Sequence, residues 1–198
     1  MFSDLAIKKV LSLPKVNTIL DIGCGEALQA YHFADAGKKV HAVDIMRHPS
    51  FKQHRNINFY QADFMGKFYV HPVDCAWLSH ILEHQLNVNQ FLTKVLRMVR
   101  PGGYIAITVP PAKDAIVGGH VTLWNAGLVL YNMILAGTSA KTAMIKSYGY
   151  NTSVVVQYEP IVLPTLKYDY GDIEALSEHF PTGLGIQGFN GRIKELNW

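Results

Sequence analysis

Thr18-Ile19-Leu20-Asp21-Ile22-Gly23-Cys24-Gly25-Glu26-Ala27 is the stretch whose reading decides the fold. A five-residue strand-type run enters a glycine turn, and a helical pattern follows at once, with apolar residues at Ala27, Ala30, Tyr31 and Ala34 and a stop at Gly37. Strand, tight turn and helix in immediate succession open a βαβ unit. Working outward, residues 39–44, 56–60, 73–79 and 104–109 read as further strands. Asn89 is placed to cap a helix that carries Phe91, Leu92, Val95, Leu96 and Val99 on one face, with Pro101-Gly102-Gly103 as its stop. Residues 143–148 and 153–158 flank Gly149-Tyr150-Asn151 and read as a hairpin rather than another crossover. The expected class is α/β: a doubly wound, mostly parallel sheet ending in a reversed hairpin, in a single domain over residues 1–198.

Composition sets the frame for function. Of the 198 residues 49% are apolar and 17% charged, with a net charge of +3, so the chain is an ordinary globular one rather than a disordered one. Its cations are scattered, which argues against a nucleic-acid partner needing a stripe of charge along phosphates. Cys24 and Cys75 lie in strand-like surroundings and form no disulfide framework, which fits a cytoplasmic protein. The first nine residues read as a short capped helix, not an export signal. Between Asp114 and Lys141 there are 26 residues free of Asp, Glu, Lys and Arg, but Gly118, Gly119, His120, Asn125 and Asn132 interrupt them, so no membrane span is expected. Within that stretch, residues 122–136 form a helix apolar over most of its circumference. Burial under the C-terminal segment is expected for it, with a homodimer contact or a pocket wall as the alternatives.

The glycine turn is chemically suggestive because it lets a ligand approach the backbone. A nicotinamide-binding fingerprint would have a third glycine at position 28, where Leu28 stands, and would not require the acid Asp21, which suits a cationic ligand better. Asp44 closes the second strand 19 residues after Gly25, where a carboxylate can accept both hydroxyls of a ribose. Asp63 follows the third strand, with the aromatic Phe64 beside it to cover a base. Each acid alone is as readily a loop acid or a helix cap. Three acids at three strand ends converge on the crevice of an open parallel sheet.

These residues, together with Asp74-Cys75-Ala76-Trp77-Leu78-Ser79-His80-Ile81-Leu82-Glu83-His84 and Leu96-Arg97-Met98-Val99-Arg100-Pro101-Gly102-Gly103, resemble the class I S-adenosylmethionine-dependent methyltransferases of the small bacterial type, over residues 16–158. The resemblance implies a Rossmann-like sheet of seven strands with a reversed final hairpin. It also implies S-adenosyl-L-methionine as cofactor and S-adenosyl-L-homocysteine as product. The cofactor-binding set it implies is Asp21, Gly23, Cys24 and Gly25 for the methionine part, Asp44 and Ile45 at the ribose end, Asp63 and Phe64 at adenine, and Ser79 and His80 on the sulfonium and acceptor side. Ala27 departs from the family, where a glycine is frequent, and the interval from Asp63 to Val73 is short for a crossover helix.

His80-Ile81-Leu82-Glu83-His84 also spells the H-x-x-E-H pattern of a zinc peptidase class, but it begins at a strand end rather than on a helix, so no metal is expected. The fifth strand ends Val109-Pro110-Pro111-Ala112, without the Asn-Pro-Pro-aromatic element associated with methylation of amino groups. Methyl transfer needs alignment in a dry pocket more than covalent help. For a hydroxyl acceptor a histidine base is apt, and His120 on Gly118-Gly119-His120 is the first candidate, then His80 and His84. The expected activity is methyl transfer to a small molecule, through oxygen, with a sugar or lipid-linked intermediate as the guess. The alternatives are a non-catalytic binder or scaffold and an NAD(P)-dependent oxidoreductase. Residues 159–198 read as a strap over the apolar helix or a lid over the acceptor, and a lid predicts that deleting residues 160–198 abolishes turnover but spares cofactor binding.

Overall fold

The computed structural model describes residues 3–198, and Met1 and Phe2, part of the expected N-terminal helix, lie outside the described residues. The parallel strands are β1 (Thr18–Ile22), β2 (Lys39–Asp44), β3 (Ile57–Gln61), β4 (Val73–Ser79) and β5 (Val99–Val109). The antiparallel end is β6 (Met144–Tyr148), β7 (Asn151–Gln157) and β8 (Glu195–Leu196). The sheet order is β3-β2-β1-β4-β5-β7-β6-β8, so it has eight strands where seven were expected. The extra one comes from the C-terminal segment, which pairs Glu195 and Leu196 with Lys146 and Ile145. Two residues carry too little periodicity to read as a strand.

The strand order reverses between the parallel β1 and β4, and an open parallel sheet binds its ligands outside the strand ends at that switch point. Alternation along each strand feeds two cores. Ile19, Cys75 and Trp77 face α1 (Asp4–Ser12) and α2 (Leu28–Asp35), whereas Leu20, Ala76 and Leu78 face α3 (Val88–Arg97) and α4 (Ala126–Leu135). The small Ala30 and Ala34 let α2 lie close enough for Phe33 to meet the Trp77 ring edge-on at 5.0 Å.

Several expected boundaries shift for identifiable reasons. Ser3 does not cap α1 with its side chain; it is buried and its hydroxyl bonds that of Ser79 at 2.8 Å, tying the N-terminus to the end of β4. Asn87, not Asn89, precedes α3, and Asn89 instead donates to the Leu135 carbonyl on α4. Pro101-Gly102-Gly103 does not simply end that helix. It lies inside β5, where the register slips between Val73 and Cys75, and a Cβ on Gly103 would come within 2.7 Å of the Asp74 carbonyl. The hairpin turn is Gly149-Tyr150 alone, because Asn151 already pairs with Tyr148. Between β3 and β4 there is no helix; Phe64, Phe68 and Val70 fill the space instead.

At the opposite edge Asp74 accepts from the Asn17 and Thr18 amides and from Arg100 Nε, locking the start of β1 to β4 and β5. Burial alone would raise its pKa, but these bonds outweigh it and hold the carboxyl below the usual range. A depressed pKa stabilises the fold above the ordinary carboxylate range and loses that contribution as pH falls through the folded value. Asp74→Asn is therefore expected to cost about 2 kcal/mol at pH 7, and thermal melts of the two proteins should converge only as pH falls through the lowered folded value, below the ordinary carboxylate range.

The apolar helix is α4, shorter than the expected 122–136, and Asn125 belongs to its cap, accepting from the Leu128 amide. Its Gly127 amide donates to the Gly191 carbonyl, and a Cβ on Gly127 would stand 2.6 Å from Gly191 Cα and 2.9 Å from the Phe189 ring. The C-terminal segment thus lies on the face for which a homodimer contact was an alternative, leaving Leu128 on the helix partly exposed. No helix among the described residues is long and apolar enough to cross a membrane.

Candidate functional site

The C-terminal ends of β1, β2 and β3 open on a cavity of about 280 Å³ lined by Gly23, Asp44, Ile45, Asp63, Phe64, Ile81, His84 and their neighbours. The glycine turn forms its floor. Gly23 and Cys24 donate their amides to the Val43 carbonyl at 2.9 and 3.2 Å, and Gly25 donates to Asp44 Oδ2 at 2.8 Å. Three successive amides are turned into the protein, so the turn is no cradle for a phosphate, which binds where such amides point outward. Gly25 has φ +51° and nothing within 4 Å of where a Cβ would sit, so a ligand can pass over it. Ala27, the departure noted in the sequence, takes the left-handed φ of +60° that a glycine holds more cheaply.

Asp21 is buried under this turn, and its Oδ2 has no hydrogen-bond partner. Burial and then the negative charge of Asp44 push its pKa up to about 7. An orphaned buried carboxylate gains most from a cation brought beside it. Asp44 also accepts from the Met46 amide at 3.2 Å, and a carboxylate has capacity left for two hydroxyls. Ile45 is 67% exposed at the rim, an apolar surface that a flat ligand would cover. Asp63 Oδ1 accepts from the Met65 amide at 2.8 Å.

Three expected site residues have different surroundings from those foreseen. The Phe64 ring is buried against Phe68 and Phe91 under Lys94, so it is a cavity wall rather than a free cover for a base. The Cys24 thiol is buried in the core, its ionisation pushed up by burial and by the charges of Asp21 and Asp44, so only its backbone belongs to the turn. The Ser79 hydroxyl turns to Ser3.

The histidines differ among themselves. His80 takes φ +54° and offers Nδ1 to Glu83 Oε1 at 3.2 Å and Nε2 to Asn151 Oδ1 at 2.9 Å. Both partner atoms are oxygens, so the doubly protonated ring serves both contacts best. Burial lowers its pKa, but the two bonds and the Glu83 charge outweigh burial and raise it. Such a ring is poorly suited to taking a proton and well suited to fixing a carboxylate. His84 Nδ1 donates to the Gly119 carbonyl at 2.8 Å, which leaves Nε2 as an acceptor, and its ring meets that of His120 edge-on at 5.1 Å. His120 lines a neighbouring cavity of about 230 Å³ with Val117, Val121, Trp124 and Tyr150. The peptidase pattern does not form, because His80 is engaged elsewhere. Instead Glu83, His84 and His120 bring one ligand atom each within 4.8 Å of one another, a grouping that sequence spacing missed because His120 arrives from a different loop.

Comparison with known proteins agrees with this architecture. Residues 20–107 match the model of the methyltransferase domain family. An S-adenosyl-L-methionine-dependent Diels-Alderase from Neonectria sp. (strain DH2) is 35% identical over 98 residues, 48% of this chain and 39% of that one. A malonyl-[acyl-carrier protein] O-methyltransferase from Pseudescherichia vulneris is 29% identical over 111 residues, 54% of this chain and 43% of that one. The matches span about two fifths of the length of these curated relatives. Among solved structures, the Burkholderia thailandensis 1,6-didemethyltoxoflavin-N1-methyltransferase with bound S-adenosylhomocysteine superposes with a TM-score of 0.62 over 79% of each chain at 15% identity, a likeness of fold.

Proposed function

From the match of residues 20–107 to the methyltransferase domain family we propose that the protein is a class I, S-adenosylmethionine-dependent methyltransferase that binds S-adenosyl-L-methionine at the strand-end crevice and methylates a small-molecule acceptor, through oxygen. The observation that carries the reading is the orphaned Asp21 carboxylate under an open glycine turn. Asp21 and the Gly23–Gly25 turn would hold the methionine part, Asp44 and Ile45 the ribose end, and Asp63 with the Phe64 wall the adenine. Bound there, the cofactor supplies an electrophilic methyl group on a sulfonium. The chain's own part is to align the acceptor and exclude water. Ile116, Val117, Val121 and Leu123, all exposed on the segment between β5 and α4, offer an apolar cover for the acceptor beside His120. His84 and His120 present their rings to the acceptor oxygen, whereas His80 positions Glu83.

A sugar or lipid-linked acceptor remains part of the proposal, within the limit that the cavity beside His120 holds only about 230 Å³. A cyclase activity of the kind named for the Neonectria relative would use the same crevice, and it is distinguished by incubation with labelled cofactor, since label transferred to an acceptor requires methylation. Calorimetry with S-adenosyl-L-methionine and S-adenosyl-L-homocysteine tests the binding; no heat with either overturns the proposal. Gly25→Leu should abolish that heat at millimolar ligand, because the side chain fills the open space over the turn. Strain at φ +51° should also lower stability by about 1–2 kcal/mol.

A further inference from the structure

Proximity alone does not make Glu83, His84 and His120 a site, but three features build one around them. Glu83 is 1% exposed; His80 occupies its Oε1, and Oε2 is buried with no hydrogen-bond partner. A carboxylate oxygen in that position calls for a cation. His84 donates its Nδ1 proton to the Gly119 carbonyl, which turns Nε2 outward as a bare lone pair, the arrangement by which metal-bound imidazoles are oriented. Gly119 makes that bond feasible, for at φ +81° it brings its backbone so near that a Cβ would lie 3.3 Å from His84 Nδ1. Finally, the segment that carries His120 is fastened to the same turn. The Val121 and Thr122 amides donate to the Glu83 carbonyl at 2.8 and 3.3 Å, and the Thr122 hydroxyl donates to the Leu82 carbonyl at 3.2 Å.

We infer that Glu83, His84 and His120 form a binding site for a divalent first-row transition cation of the imidazole-binding class, zinc or iron(II), with His80 as the positioning residue that aims Glu83. Two imidazoles and one carboxylate suit these ions better than magnesium or calcium, which take oxygen ligands. Three protein ligands leave a coordination position open. That position borders both the crevice wall at His84 and the cavity at His120. If the protein is a methyltransferase as proposed, an acceptor hydroxyl would occupy that position and be more acidic there, as metal-bound water is, which narrows the acceptor to molecules with an ionisable oxygen.

Untagged protein treated with EDTA is titrated with Zn²⁺ by calorimetry and with Co²⁺ by visible absorption. One equivalent should bind, with d–d bands for cobalt. Zinc affinity should fall at least tenfold in each of His84→Ala, His120→Ala and Glu83→Gln. The two histidines lie at the surface of the turn and loop, so their variants should melt like the parent in EDTA and keep the test valid should Glu83→Gln fold poorly. No uptake by the parent, or equal uptake by the two histidine variants, overturns the inference. Heat with S-adenosyl-L-methionine on the same EDTA-treated protein separates the two readings: cofactor heat without metal uptake overturns the cation site alone, and metal uptake without cofactor heat overturns methyl transfer alone.

Discussion

Asp21→Asn is expected to weaken S-adenosyl-L-methionine binding at least 100-fold while making the ligand-free protein more stable at pH 8. The carboxyl is buried, its Oδ2 is unpartnered, and burial followed by repulsion from Asp44 raises its pKa from 3.8 to about 7. A folded value above the unfolded one means that the folded state binds the extra proton. The stabilisation is thus complete below about pH 4 and is lost as pH rises through about 7. In the parent this loss amounts to a few kcal/mol, and in Asp21→Asn it should vanish, which melting curves at pH 5 and pH 8 would reveal. A cationic ligand reverses the preference, since it favours the ionised carboxylate. Affinity should therefore rise about tenfold per pH unit up to about pH 7 and level off above it, with a proton released on binding at pH 6. The neighbouring Asp44 and Cys24 face the same turn; the thiol stays protonated throughout. An asparagine variant that binds as tightly as the parent, or a parent with flat affinity between pH 5 and pH 8, would remove Asp21 from the site.

The second large effect concerns residues 160–198, whose deletion should leave no stably folded protein rather than an inactive cofactor binder. Leu176 and Phe180 are buried in the core under α4, and Phe189 packs on Phe180 at 5.5 Å and on Gly127. The segment also supplies β8, the His179 carbonyl that accepts from the Ala140 amide, and Asn197, which donates to the Ala143 carbonyl. Truncating Phe180 alone to Ala should cost about 3–5 kcal/mol, a stability change read by chemical denaturation, while cofactor affinity in the full chain changes by less than threefold. A soluble, cooperatively melting fragment of residues 1–159 would show that the segment is a lid and not a strap.

Much of the architecture was legible because strands and helices announce themselves through periods of two and 3.6 residues. Residues 18–22, 39–44 and 73–79 match β1, β2 and β4 end for end, since each is a short stretch rich in Val, Ile, Leu and Ala that alternating or turn-forming residues delimit. β8 was not legible, because two residues have no period. The slip inside β5 was not legible either, because Pro101-Gly102-Gly103 reads equally well as a helix stop and as a bulge. For the same reason the crevice acids stood out at strand ends, whereas Ser79 and Phe64 read as ligand-facing although their side chains are committed to Ser3 and to the core.

By itself the sequence determined the α/β class, the strand that enters a glycine turn, and the acids 21, 44 and 63 at successive strand ends, all of which are written in spacings of a few residues. Tertiary structure alone decided that Asp21 is orphaned, that His80 serves Glu83 and Asn151, and that His84 meets Gly119 and His120. The contacts of His80 with Asn151 and of His84 with Gly119 join positions 71 and 35 residues apart. Which distant segments meet depends on the order of strands in the sheet and on how loops close over it, and neither leaves a periodic trace in the chain.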